Sequence, residues 1–286
     1  LCTYGNDHPQ LLEYTLAVTS AVAALDLPFA VPNPILTANG ERLYRHDDGY
    51  RTWLMSMMPW LPGDHPALDD VQAFRQAGHA FGRLLNALAQ VTVAPASPPA
   101  YLNLSRVHSY IIDPLSALRA APLNSDNVQH IIDVFETLQP QLATLYEHLP
   151  QQIIHGDFVP RNVLLLNDTV SAVLDFELCR NDLRILDVAI ALLAWGGFPS
   201  NYDGTMLCQF VQGFHEVIVL SDDEIAALPT MMRLVYIVRL LQVLGRYQQG
   251  TERNVAVERA ALAFGEFDAW LNEIPDFHEL YQSWLA

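Results

Sequence analysis

The stretch IHGDFVPRNVLLLNDTVSAVLDFE, residues 154–177, constrains the fold more than any other part of the chain. It reads as a strand, a loop crowded with polar side chains, then two strands joined by a tight turn. The apolar runs 163–166 and 172–174 flank Asn167-Asp168, a pair suited to a hairpin turn. Asp157 and Asp175 stand at the ends of this unit, with Asn162 between them. Closing the hairpin folds Asp175 back beside Asp157 and Asn162. Two carboxylates and an amide oxygen on one β-unit make an oxygen-only site for a small, hard divalent cation. Singly, each residue has a plainer reading, because Asp and Asn favour turns and strand ends. Their ordered combination is what singles them out.

The order is His155-Gly156-Asp157, Asn162 five residues beyond the Asp, then Asp175-Phe176-Glu177. It resembles the kinase catalytic loop H-R-D-x-x-x-x-N followed by D-F-G, with Gly156 in place of Arg. In the form H-G-D-x-x-x-x-N then D-F/W-[DE], the chain is similar to the aminoglycoside phosphotransferase and choline kinase superfamily. That superfamily is the small-molecule branch of the protein-kinase-like fold. Val159 stands where protein kinases usually carry Lys, which favours a small acceptor over a peptide. The resemblance implies an α+β, bilobal fold. A small N-terminal sheet lobe on the nucleotide side, partial at its start, would span 1–60. A large, mainly helical C-terminal lobe would span 61–286 and carry the catalytic loop 154–177.

The implied chemistry is ATP- and Mg2+-dependent phosphorylation of a hydroxyl on a small molecule. Asp157 would orient that hydroxyl and receive its proton, while Asn162 and Asp175 would hold Mg2+ against the phosphates. Residues 175–195, DFELCRNDLRILDVAIALLAW, are similar to bacterial type II homoserine kinases, which show DF, then ND, then D-[LV]-A-I and a Trp. Homoserine or a related amino alcohol is thus the implied acceptor. Its ammonium would suit Glu177 or Asp182, and its carboxylate an Arg. Arg233, Arg239 and Arg246 recur at helical spacing and are read first as solvated or paired, with carboxylate recognition as the second reading. Asp187 matches the family's D-[LV]-A; it is either a loop anchor, a helix-start residue stabilised by the dipole, or both.

Charge narrows the partners. A net charge of −17 argues against nucleic acid or an anionic membrane. Remote charge is screened beyond about 8 Å at physiological salt, so local Mg2+ and Arg can still govern a polyanionic nucleotide. All 15 basic residues are Arg, and no Lys occurs. Kinase-like folds place a Lys on a strand of the small lobe to grip the phosphates. Either a phosphate-gripping Lys or Arg and a Gly-rich loop lie upstream of Leu1, or Arg replaces the Lys, or the site is degenerate. The last case motivates a different class of function: a nucleotide-binding regulatory or pseudokinase-like protein. A metal-dependent hydrolase using His155 is disfavoured because no second His lies at a useful spacing.

Cys2, Cys179 and Cys208 form no CxxC pair, which reads as free thiols in a reducing compartment. No signal peptide is visible, and the longest apolar run, 188–195, is too short to cross a bilayer. The expectation is therefore a cytoplasmic protein with no membrane partner; its oligomeric state is left open.

Along the chain, residues 9–25 read as a helix with Leu12, Leu16 and Val22 on one face. Glu13, taken to lie in the first turn, either complements the helix dipole or orients the phosphate-gripping side chain. Cys2, or a residue before Leu1, would fill that gripping slot. Asn39-Gly40 signals a type I′ hairpin and Asp48-Gly49 a second turn. The run WLMSMMPW, residues 53–60, leads into Leu61-Pro62-Gly63, a natural hinge. In the resembling family this stretch packs on adenine; Met57 and Met58 suit a flat ring, although core packing explains either alone. Helices are expected over 68–88 and 126–148, then 205–219, 222–247 and 255–271, with residues 178–186 irregular. Ser221 and Glu224 form a capping box.

Overall fold

The computed structural model describes all residues except 1, 5–8, 51, 95 and 200, and no side chain of residues 1–9. In chain order the described residues form β1 (Cys2–Tyr4), α1 (Pro9–Ala23), β2 (Tyr44–Asp47), β3 (Thr52–Ser56) and α2 (Val71–Leu88). There follow α3 (Pro114–Arg119), α4 (Ser125–His148), β4 (Gln151–Ile154), β5 (Val163–Leu166), β6 (Thr169–Val173) and β7 (Arg180–Leu183). The rest is helical: α5 (Arg184–Trp195), α6 (Gly204–His215), α7 (Asp222–Gln249), α8 (Asn254–Asn272) and α9 (Phe277–Leu285).

The chain divides into two compact units. The first gathers Leu1–Pro98, Gln152–Asn181 and Gln209–Val219. Its N-terminal sheet is antiparallel with order β1-β3-β2. Leu54 on β3 lies opposite Arg45 on β2. With Leu43 it packs against Leu12 and Leu16 of α1. That period of four on the helix, meeting a period of two on the sheet, fixes α1 to this face. Asn39-Gly40 turns the chain, with Gly40 N–H on Thr37 O at 2.9 Å. Of the two, only Gly40 has a positive φ, so the turn is not the type I′ form the pair suggests.

Behind the stretch 154–177 runs α2, capped by Asp70, whose carboxylate accepts from the N–H groups of Gln72 and Ala73. Its Phe81 meets Phe158, Phe210 and Phe214 at ring-centroid distances of 4.6, 6.0 and 5.5 Å. Two glycines let α2 approach the end of α6. A Cβ on Gly78 would lie 1.9 Å from Phe210 O, and one on Gly213 would lie 2.0 Å from Arg75 O.

The segment after Pro62 is fastened to the β5–β6 hairpin. Asp64 and Leu165 exchange backbone hydrogen bonds of 2.9 and 2.8 Å, and Ser171 Oγ donates to Pro62 O at 2.8 Å. Gly63, at φ +137°, leaves no room for a side chain: a Cβ would meet Ser171 Oγ at 2.6 Å.

The second unit comprises Pro99–Gln151, Asp182–Cys208 and Leu220–Ala286. Its centre is α7, started by the Ser221–Glu224 capping box and stopped by Gly250 at φ +82°. By length and composition α7 could cross a membrane, although Arg residues interrupt its apolar sequence. Yet 67% of its apolar window is buried in the protein, against α5, α8, α4 and α9. Two carboxylates are buried at the helix joints. Glu224 takes both Arg184 Nε and Nη2, at 2.9 and 2.7 Å. Asp268 takes Arg233 Nε at 2.6 Å and His130 Nε2 at 3.1 Å.

Residues 178 and 179 lie in a turn, but 180–186 are regular: β7 pairs with β4, and α5 begins at Arg184. Asp187 is fully buried in the first turn of α5. The final helix, α9, has no counterpart among the sequence expectations.

Candidate active site

Residues 154–177 fold as strand, loop and hairpin. Asn167 and Asp168 both adopt left-handed φ, +52° and +61°, as a two-residue type I′ turn demands. The register sets Val163 opposite Val173, with an irregularity between Leu164 and Leu165. One step further out, Leu174 N–H donates to Asn162 O at 2.8 Å. Asp175 therefore follows directly on the residue that is bonded to Asn162.

Asp157 and Asn162 touch. Asn162 Nδ2 donates to Asp157 O and to Asp157 Oδ2, both at 2.9 Å. Both amide hydrogens are thereby used, and the amide oxygen, the atom a hard cation requires, is turned away from Asp157. Asn162 is 5% exposed, so these bonds are sheltered from competing water.

His155 ties the loop to the end of the hairpin. Asp157 N–H donates to its Nδ1 at 3.2 Å, so Nε2 carries the proton and donates to Leu174 O at 3.0 Å. Burial pulls its pKa down to about 4, against the opposing pull of Asp157, the Leu174 carbonyl and Asp175. The imidazole lies edge-on to Phe176, with centroids 4.7 Å apart. Gly156 has φ +80°, and a Cβ there would strike Leu178 O at 2.6 Å. A large side chain at this position, as in H-R-D, has no room.

Asp175 also has a left-handed backbone, φ +63°, and its side chain is exposed. Its Oδ1 accepts from Glu177 N–H at 3.4 Å, and Glu177 is exposed beside it. Among the described residues no cluster of three or more His, Cys, Asp or Glu could hold a metal by itself. The Asn162 oxygen and the Asp175 carboxylate are hard oxygen donors of the kind Mg2+ prefers, carried where Leu174 N–H meets Asn162 O. Mg2+ commonly takes one or two protein oxygens and fills its remaining positions with phosphate and water.

The other expected site residues fall elsewhere. Glu13 is outside the first turn of α1 and bonds Arg45 Nη2 at 2.7 Å. That pair borders a cavity of about 700 Å3 floored by Leu16, Ala17 and Leu43, which Asp157, Asn162 and Asp175 do not line. Met57 is 51% exposed, its carbonyl accepting from Ile35 N–H at 2.8 Å, whereas Met58 packs onto the Leu12–Leu54 cluster. The Cys2 side chain lies outside the described residues.

Asp182, expected to meet a substrate ammonium, is instead fully buried. It accepts from Tyr101 N–H at 2.8 Å, from the Tyr146 hydroxyl and from Leu183 N–H. A substrate cation would have to displace these donors, so the structure corrects that expectation. Sequence reading also missed Arg161, whose Nη2 donates to Asp157 Oδ2 at 2.6 Å. The four-residue separation was the available signal.

The model of the phosphotransferase enzyme family (APH) matches residues 5–226. The chain belongs to the phosphotransferase enzyme family. A homoserine kinase from Rhodospirillum rubrum is 30% identical over 230 residues, covering 79% of this chain and 66% of its own length. One from Rhizobium rhizogenes is 42% identical over 86 residues, 30% of this chain and 27% of its own. These matches thus span less than two thirds of each of the two relatives.

Among solved structures, a microcompartment-associated aminopropanol kinase superposes with a TM-score of 0.72 at 17% identity, covering 92% of this chain and 82% of its own. An amicoumacin kinase bound to AMP-PNP and Ca2+ gives 0.71 at 17% identity, covering 97% and 84%. Likeness at that identity establishes the fold of this phosphotransferase-family chain, an α+β protein-kinase-like fold.

Proposed function

We propose that this phosphotransferase-family chain transfers the γ-phosphoryl group of ATP, with Mg2+, to a hydroxyl of a small molecule, an amino alcohol of the homoserine class. The observation that carries the reading is the hairpin register. It joins Asn162 to Leu174 while the Asn162 amide grips Asp157, so base, amide oxygen and second carboxylate belong to one braced unit. Asp157 orients the acceptor hydroxyl and takes up its proton. Asn162 and Asp175 hold Mg2+, which when bound neutralises charge on the phosphates. The reaction asks mainly for positioning and electrostatics, so few side chains suffice. Kinship with homoserine kinases and the shared fold with an aminopropanol kinase support the amino-alcohol class. The exposed carboxylate of Glu177 offers a partner for the acceptor ammonium.

The test is ADP release from MgATP with homoserine, aminopropanol, choline, ethanolamine and an aminoglycoside as acceptors. One amino alcohol should stimulate release and yield a phosphorylated product. Asp157→Asn should lower kcat by ~10²–10⁴-fold. The absence of Lys keeps a second reading in view, a nucleotide-binding regulatory protein of the same fold. MgATP binding with no product from any acceptor would favour it.

A further inference from the structure

Asp157 Oδ2 receives two donors: Arg161 Nη2 at 2.6 Å and Asn162 Nδ2 at 2.9 Å. Oδ1 has no hydrogen bond among the described residues. The two carboxylate oxygens are therefore not equivalent.

An exposed i,i+4 ion pair is ordinarily worth little. This one differs in three respects. Its acid partner is only 14% exposed although the Arg is 69% exposed. The contact is short and charge-assisted, and it shares its acceptor atom with a buried amide. Arg161 also stands on a fixed stretch, the 3₁₀ turn Pro160–Asn162, where Pro160 presets the backbone and Asn162 N–H donates to Val159 O at 2.9 Å. In a chain without Lys, Arg161 is the described basic side chain bonded to Asp157.

Resting on the kinase reading above, we propose that Arg161 is a positioning residue that occupies Asp157 Oδ2 and thereby assigns Oδ1 to the acceptor hydroxyl. With Oδ2 taken, an incoming O–H has one oxygen to donate to and one direction of approach. As the acceptor oxygen bonds to the γ-phosphorus, the bond from phosphorus to the β–γ bridging oxygen breaks. Its electron pair leaves on ADP, and the acceptor proton passes to Oδ1. A loose transition state draws little charge from the attacking oxygen, so exact aim matters more there than a strong base.

The experiment compares Arg161→Met, Arg161→Lys and Arg161→Ala with wild type, using the acceptor that supports turnover. Arg161→Met should lower kcat by ~10²-fold, with both KM values within ~3-fold and an unchanged melting temperature. Arg161→Lys should recover to within ~10-fold of wild type, since a single ammonium can still meet Oδ2. Millimolar guanidinium should restore part of the Arg161→Ala rate. A kcat within twofold of wild type in Arg161→Met, or a faster one, overturns the role of Arg161 and leaves the kinase reading standing. So does a loss tracking KM or melting temperature that neither Lys nor guanidinium repairs. A wild-type chain that phosphorylates no acceptor overturns both.

Discussion

Burial draws the His155 pKa down to about 4 and holds the imidazole neutral, with Nδ1 accepting from Asp157 N–H and Nε2 donating to Leu174 O. The unfolded chain binds this proton near pH 6.5, so between pH 6.5 and 4 the unfolded state carries more protons than the folded one. The His155 contribution to stability is therefore present above pH 6.5 and is lost as the pH falls towards 4. From pH 7 to pH 5 the loss is about 2 kcal/mol. His155→Gln can keep both hydrogen bonds without titrating. Its melting temperature should fall less than that of wild type over this interval, and parallel curves would refute the account. The polar core of the site was legible because its spacing is local: Asp157, Asn162 and Asp175 lie within one strand-turn-strand unit whose Asn167-Asp168 corner announces itself. Asp182 was misread because a carboxylate beside a reactive stretch looks the same in sequence whether it faces a substrate or Tyr101 and Tyr146. The Arg161 contact depends on a 3₁₀ turn that helical periodicity does not reveal.

At the level of elements, the crossing of α2 over the end of α6 rests on Gly78 and Gly213. Neither glycine needs a special φ; each is required because the opposing backbone occupies the place of a side chain. Gly213→Ala should push the two segments apart and strain the Phe81–Phe158–Phe210–Phe214 cluster beneath Asp157, a loss of ~1–3 kcal/mol. Denaturant titration reads this, and Gly265→Ala, where a Cβ meets nothing within 4 Å, serves as the control. Long helices with strong periodicity, such as α2 and α4, were evident from sequence to within a few residues. Short β7 was not, because a four-residue strand has too little pattern and pairs with a strand distant in sequence. For Glu13 the sequence left two readings open, because no partner for it was evident; in the structure it pairs with Arg45.

For the molecule as a whole, binding and stability are linked. At 100 times its dissociation constant, MgATP should stabilise the chain by about 2.7 kcal/mol, read as a rise in melting temperature. ATP with EDTA should give less. In Asp175→Asn the two curves should coincide, while the variant without ligand melts no lower, because Asn tolerates the left-handed backbone at this position. A difference that survives the substitution would mean the ion is held elsewhere. The first compact unit is stitched from three separated stretches of chain, the last of them Gln209–Val219. During synthesis, then, Phe81 and Phe158 wait for Phe210 and Phe214 to leave the ribosome. Until that moment the nascent polypeptide exposes an aromatic surface it cannot yet cover, and a chaperone at the exit tunnel is the natural custodian of that interval.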